Sequence, residues 1–189
     1  PPAPPPIPST MPAPLATLLQ QCWAASPKVR PSCAEVLRAL DRAAIDCMIS
    51  DLAARKFWHH NFATADADHD VSAVLWDAFA PAFAYLLGVP ESDVEHSPTF
   101  KCIKALSATK STDPTSRNRL VMTTESFGHL LYWFGPLDLK QPDEFLDRIA
   151  NTVRKDWFHG DIDSATANSR LATAAKSSFL VRCSRKTAA

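Results

Sequence analysis

A mainly α-helical fold with a small α+β part at its C-terminal end is what this 189-residue sequence predicts. Three observations carry that expectation. Apolar residues recur at helical spacing from Leu15 to Val153, and serine, aspartate or proline residues that open helices stand ahead of several of these runs. Alternation at period two is confined to residues 178–184, Ser-Phe-Leu-Val-Arg-Cys-Ser.

Residues 1–14 are rich in proline, which lacks the amide donor and fixes φ, so an extended or polyproline segment is predicted there. A connecting loop is favoured over an SH3 or WW ligand, because PxxP strings are common by chance. Leu15, Leu18, Leu19, Cys22 and Trp23 then give a helix with one buried stripe. Residues 26–31 break it. Ser32 with Glu35 forms a capping box that opens a second helix, predicted to turn Val36, Leu37, Leu40, Ala44 and Met48 inward. From residue 57 to 134 the scheme is helix, loop, helix. Phe57, Trp58 and Phe62 precede an acidic loop. Leu75, Phe79, Phe83 and Leu86 share a face until Gly88, with a kink expected at Pro81. Ser97 and Pro98 open a helix that buries Phe100, Ile103 and Leu106. After a polar loop at 109–119 come Phe127, Leu130, Leu131 and Phe134, closed by Gly135 and Pro136, and then a helix carrying Phe145, Leu146, Ile149 and Val153. Strand is predicted only after Trp157.

Twenty basic and twenty acidic side chains cancel, so no global field draws nucleic acid or an anionic surface, and any anion site has to be local. The five cysteines (Cys22, Cys33, Cys47, Cys102, Cys183) form no CxxC pair, and the six histidines show no zinc spacing. Reduced thiols of a cytoplasmic protein are the simplest reading. No apolar run approaches the roughly 20 residues that a membrane helix requires. The chain begins in a proline-rich phrase without methionine and stops after a basic cluster, so a fragment is expected.

Residues 5–40 hold a helix ending in Cys22-Trp23, a short loop, then Arg30-Pro31-Ser32 and another helix. This resembles the end of the C-terminal lobe of protein kinases, particularly tyrosine kinases and tyrosine-kinase-like enzymes. The resemblance implies that residues 1–50 close a kinase domain and that the partner of Arg30 is a glutamate of an activation segment outside these residues. Phosphoryl transfer requires a glycine-rich loop, a lysine, a catalytic aspartate and magnesium ligands. The four glycines, Gly88, Gly128, Gly135 and Gly160, are too far apart for such a loop, and no HRD or DFG string occurs. No catalytic residue is assigned to the chain; ATP and magnesium belong to the presumed parent kinase.

Residues 157–184, from Trp157-Phe158-His159-Gly160 to Phe179-Leu180-Val181-Arg182, look like the opening of an SH2 domain, implied to run over 157–189. Trp157 to Gly160 would be the first strand, Asp163 the cap of the first helix, and 178–184 the central strand. Alternation places Phe179, Val181 and Cys183 on one side and Leu180, Arg182 and Ser184 on the other. A guanidinium fork matches two oxygens of a phosphate monoester. Arg182 is therefore the candidate phosphotyrosine-binding arginine, with Ser184, Arg185, Lys186 and Thr187 as further donors and phosphotyrosine proteins as partners. Ser164 stands where many SH2 domains have a second arginine. With the later strands outside the chain, weak binding in isolation is expected.

Residues 57–79 and 121–137 resemble the EF-hand-like helical region that precedes the SH2 domain in amoebal SH2-bearing kinases, as in STAT and Cbl proteins. This implies a linker over 55–154. Asp66, Asp68, Asp70, Ser72 and Asp77 occupy positions one, three, five, seven and twelve of a calcium loop. Val71 stands at position six, where glycine is wanted, and a β-branched residue resists positive φ. A metal-free structural unit is favoured over a calcium site. The leading reading is thus a signalling kinase of dual or tyrosine-like specificity; a non-catalytic SH2 adaptor and a calcium-responsive module are the alternatives.

Overall fold

A computed structural model describes residues 5–63 and 71–184 of the protein. The chain divides into two compact units, Pro1–Ser72 and Ala73–Ala189.

In the first unit, α1 (Ala13–Cys22) begins behind Pro12 and ends at Trp23, whose amide donates to the Leu19 carbonyl. The capping box of α2 (Cys33–Met48) is present: the Glu35 amide donates to the Ser32 hydroxyl at 3.3 Å, and the Ser32 amide to the Glu35 carboxylate at 2.7 Å. The Ser32 amide, and after it the Ser32 hydroxyl donating to the same carboxylate at 2.7 Å, hold the Glu35 carboxyl below its usual range. α3 (Leu52–Asn61) opens on Asp51, which accepts from the Ala54 amide. Its buried side is Ala54, Phe57 and Trp58, closed by Phe62 edge-on to both rings. The Trp58 indole donates to the Val71 carbonyl at 2.9 Å, so its one polar atom is satisfied where the side chain is wholly buried.

The inner face predicted for α2 is corrected. Leu37, Leu40 and Met48 are 61%, 44% and 50% exposed and Ala44 is exposed, whereas Ala43, Ile45 and Ile49 are buried and Val36 half-buried. α2 packs against both α1 and α3. A helix with two neighbours buries two sides, and a single stripe read at 3.6 spacing misplaces both.

The second unit is built on a three-stranded antiparallel sheet of order β1-β3-β2, formed by β1 (Ala73–Leu75), β2 (Thr109–Lys110) and β3 (Leu120–Thr123). Val74 lies opposite Met122, and Thr109 opposite Val121. β1 runs directly into α4 (Trp76–Leu86) and β3 directly into α7 (Thr124–Phe134), so one pairing fixes the start of two long helices. Between them lie α5 (Glu91–Val94) and α6 (Pro98–Ser107), the latter capped by the Ser97 hydroxyl with Pro98 in the first turn; α8 (Pro142–Val153) and α9 (Ser164–Ala172) follow. α4 continues through Pro81. The core is aromatic: Phe83 is fully buried, with ring centroids 5.2 Å from Phe79, 5.4 Å from Phe127, 6.0 Å from Phe145 and 6.4 Å from Phe100.

Two strand expectations are corrected. The sheet lies within the stretch read as helix and loop only. Conversely, residues 178–184 form no continuous strand; they contribute one parallel bridge, Val181 to Phe158. Beyond that bridge, no described strand pairs with this segment, and extended backbone without neighbours to saturate its amides does not develop a ladder.

Candidate anion site

The site is assembled by a short parallel pairing. The Val181 amide donates to the Trp157 carbonyl at 2.7 Å, the His159 amide to the Val181 carbonyl at 2.9 Å, and the Cys183 amide to the Gly160 carbonyl at 2.8 Å. Gly160 has φ +65, and a Cβ there would stand 3.4 Å from the Leu106 side chain, so glycine suits both the turn and the close approach. Within this pairing Cys183 is buried, while Phe179 and Val181 stay 66% and 43% exposed.

Arg182, between the two bonded residues, turns toward the N-terminus of α9. Its guanidinium donates to the Ile162 carbonyl at 3.1 Å and to the Ser164 hydroxyl at 3.0 Å. Asp163 caps α9 by accepting the Thr166 amide at 2.6 Å. The amide and hydroxyl of Thr166, and more weakly the Arg182 charge, hold the Asp163 carboxyl below its usual range, against a smaller upward push from burial. A second arginine, Arg170, lies 2.6 Å from Nδ1 of His159. The carbonyl of Ser184 accepts the indole N–H of Trp133 at 3.1 Å, joining the end of the segment to α7.

The structure thus brings Arg182 to Ser164, which the sequence marked only as the place where many SH2 domains carry a second arginine; the companion expected for Arg182 was Ser184, whose carbonyl is met here by Trp133. Arg185, Lys186 and Thr187 lie outside the described residues. The roles of Ile162, His159, Arg170 and Trp133 were missed; the Trp133 contact spans 51 positions and leaves no trace in local spacing.

The calcium loop falls largely outside the described residues, since Asp66, Asp68 and Asp70 are not among them. Val71 is buried, and among the described residues only Asn118 and Ser177 combine a side chain with positive φ, so Val71 does not adopt the left-handed turn. Ser72 is half-buried. Asp77 lies in the first turn of α4, with its carboxylate 3.4 Å from the Arg119 guanidinium, both exposed. In the kinase-like motif Cys22 is the last residue of α1, Trp23 its C-cap, and Pro31 is half-buried. Arg30 donates to the Ala24 carbonyl at 2.9 Å, so here it closes its own loop. A cleft of about 830 Å³ between α4, α5 and α6 carries Asp77, Glu91 and Glu95 against Lys101 and Lys104 and shares no residue with the Arg182 site.

Comparison with known proteins gives one consistent answer. The chain is 34% identical over 187 residues to dual specificity protein kinase shkC of Dictyostelium discoideum, an alignment that takes in 95% of this chain. It is related to the amoebal dual specificity kinases. Dual specificity protein kinase shkA of the same organism is 31% identical over 196 residues, and shkD 33% over 184, each again across 95% of the chain. The chain spans 36% of the length of shkC and of shkA, and 23% of shkD. No family model and no solved structure matches. The resemblance to amoebal kinases drawn from the sequence is therefore borne out along nearly the whole chain. No helix among the described residues is long and apolar enough to cross a membrane.

Proposed function

We propose that this chain is a stretch of a cytoplasmic signalling kinase in which residues 1–50 end the kinase domain, 55–154 form an EF-hand-like helical linker, and 157–189 open an SH2 domain. Arg182 is the residue that grips phosphotyrosine on partner proteins. One observation carries the reading: the guanidinium of Arg182 is delivered to the Ser164 hydroxyl and the start of α9. Both of its described hydrogen-bond acceptors are neutral, and the Asp163 carboxylate nearby interacts with its charge without being hydrogen-bonded to it. A phosphate of nearly two charges is the better acceptor for a planar fork, and the serine hydroxyl can rotate to donate to the same group. Ser184, Arg185, Lys186 and Thr187 follow along the chain as further donors. The strand-to-helix passages β1–α4 and β3–α7, paired through their strands, support the EF-hand-like reading of the linker. That all the matched relatives are named kinases favours this over a non-catalytic adaptor.

ATP and magnesium would be held by the catalytic lobe of the whole protein, and this chain contributes none of the phosphoryl-transfer residues. The deciding experiment measures binding of a labelled phosphotyrosine peptide to the full-length protein by fluorescence anisotropy. Arg182→Ala should weaken binding at least tenfold. An unchanged affinity would overturn the assignment.

A further inference from the structure

The chain has two tyrosines, Tyr85 and Tyr132, and they are the most exposed of its large apolar side chains, 88% and 76%. Neither ring packs on another, and neither hydroxyl is hydrogen-bonded among the described residues. Their placement differs in one respect. Tyr132 lies in the last turn of α7, next to Trp133, whose indole holds the Ser184 carbonyl two residues beyond Arg182. That turn ends at Gly135, with φ +90, and its terminal carbonyls are met by one cation: Arg148 donates to the Phe134 carbonyl at 2.7 Å and to the Pro136 carbonyl at 2.6 Å.

We propose that Tyr132 is a phosphorylation site and that its modification releases the segment bearing Arg182. The inference rests on the reading above for what the Arg182 site does. In the transfer, the γ-phosphoryl group of ATP passes to the phenolic oxygen, the bond to ADP breaks, ADP leaves, and the phenol proton goes to the base of the modifying kinase. The result is close to two negative charges in the final turn of a helix, the end at which the helix dipole already places partial negative charge. Arg148, which also reaches Glu144 at 3.7 Å, is the guanidinium that caps this end. A phosphate that draws Arg148 away uncaps α7, and one that does not leaves its charge against the helix terminus. Both act on the turn that positions Trp133, and the Trp133–Ser184 hydrogen bond is what the turn supplies to the anion site. Tyr85 is equally reachable on α4, whereas the neighbour of Tyr132 is the residue that holds the Ser184 carbonyl.

The test uses the full-length protein, a tyrosine-phosphorylating kinase and magnesium-ATP, with sites mapped by mass spectrometry and amide exchange followed at 131–135 and 181–184. A synthetic peptide of residues 125–137 sets the reactivity of the unfolded acceptor. Phosphate is expected on Tyr132, together with at least tenfold faster exchange at Val181 and Cys183; Tyr132→Phe should abolish both and Tyr85→Phe neither. The proposal is overturned if Tyr132 stays unmodified while the peptide reacts fully, or if it is modified with no change at 181–184. Neither readout involves phosphopeptide binding, so failure here is separate from failure of the Arg182 assignment.

Discussion

The guanidinium of Arg182 lies 3.0 Å from the hydroxyl of Ser164, although the two residues are 18 positions apart. The parallel pairing of 181–183 with 157–160 and the capped start of α9 create that meeting, and each is local and short. A lysine at 182 would keep a positive charge but lose the planar fork, so its three rotatable donors on a single nitrogen would not match the carbonyl and hydroxyl, or two phosphate oxygens, with the parallel bidentate geometry of the guanidinium. Arg182→Lys in the full-length protein is therefore expected to weaken phosphotyrosine-peptide binding by about tenfold to a hundredfold, the equivalent of one charged hydrogen bond worth roughly 1.5–3 kcal/mol. Isothermal titration would show it; a lysine variant that binds as the parent does means the fork has no role.

Asp163 gives the site a pH dependence whose sign follows from its surroundings. The Thr166 amide and hydroxyl lower its pKa in the folded chain from the ordinary value of 3.8. The unfolded chain therefore takes up the proton first on acidification. The stabilisation is complete above the ordinary carboxylate value and is lost as the pH falls below it, through the folded pKa. Asparagine at this position still offers a capping oxygen but does not titrate. The Thr166 amide resonance of the parent should move below about pH 4, and that of Asp163→Asn should stay level. Equal titration of both would place the proton elsewhere.

The helices were legible because their signals are local. Ser32 with Glu35, Ser97 before Pro98, and Asp163 each cap the helix the sequence assigned to them. The sheet was not legible, because strands of two to four residues are too short to show alternation, and Leu75 of β1 was counted in the helical stripe of Phe79 and Phe83 that follows it. The opposite error at 178–184 has the same root: a sequence can show strand character, but pairing depends on partners elsewhere in the chain. For the site, residue chemistry singled out Arg182 with Ser184 as its expected companion, and the hydrogen bond to Ser164 was not foreseen. The tie from Trp133 and the inward side of α2 depend on which elements become neighbours, and local periodicity does not encode that.

Trp58 is wholly buried and donates its single N–H to the Val71 carbonyl, 13 positions along. Trp58→Phe keeps most of the apolar volume but leaves that carbonyl without its donor and opens a small void. A loss of about 1–3 kcal/mol is expected from the unpaired acceptor. Urea unfolding followed in the first unit should show a lower midpoint with an unchanged slope. No shift would mean that water replaces the indole and that Val71 is less enclosed than its 8% exposure indicates.

α4 offers a sharper comparison between two aromatic residues two positions apart. Phe83 has no exposed surface and touches four other phenylalanine rings, whereas Tyr85 is 88% exposed and touches none. Phe83→Ala removes a ring that holds α4, α6, α7 and α8 together, and the cavity cannot collapse without moving all four. The expected cost is about 3–5 kcal/mol. Tyr85→Ala removes a side chain that is already in water and should stay within about 0.5 kcal/mol. A whole domain is stable by only about 5–15 kcal/mol, so the first variant should lose a large part of its stability and the second almost none. Guanidinium unfolding of the two proteins side by side decides it, and similar midpoints would contradict the aromatic core around Phe83.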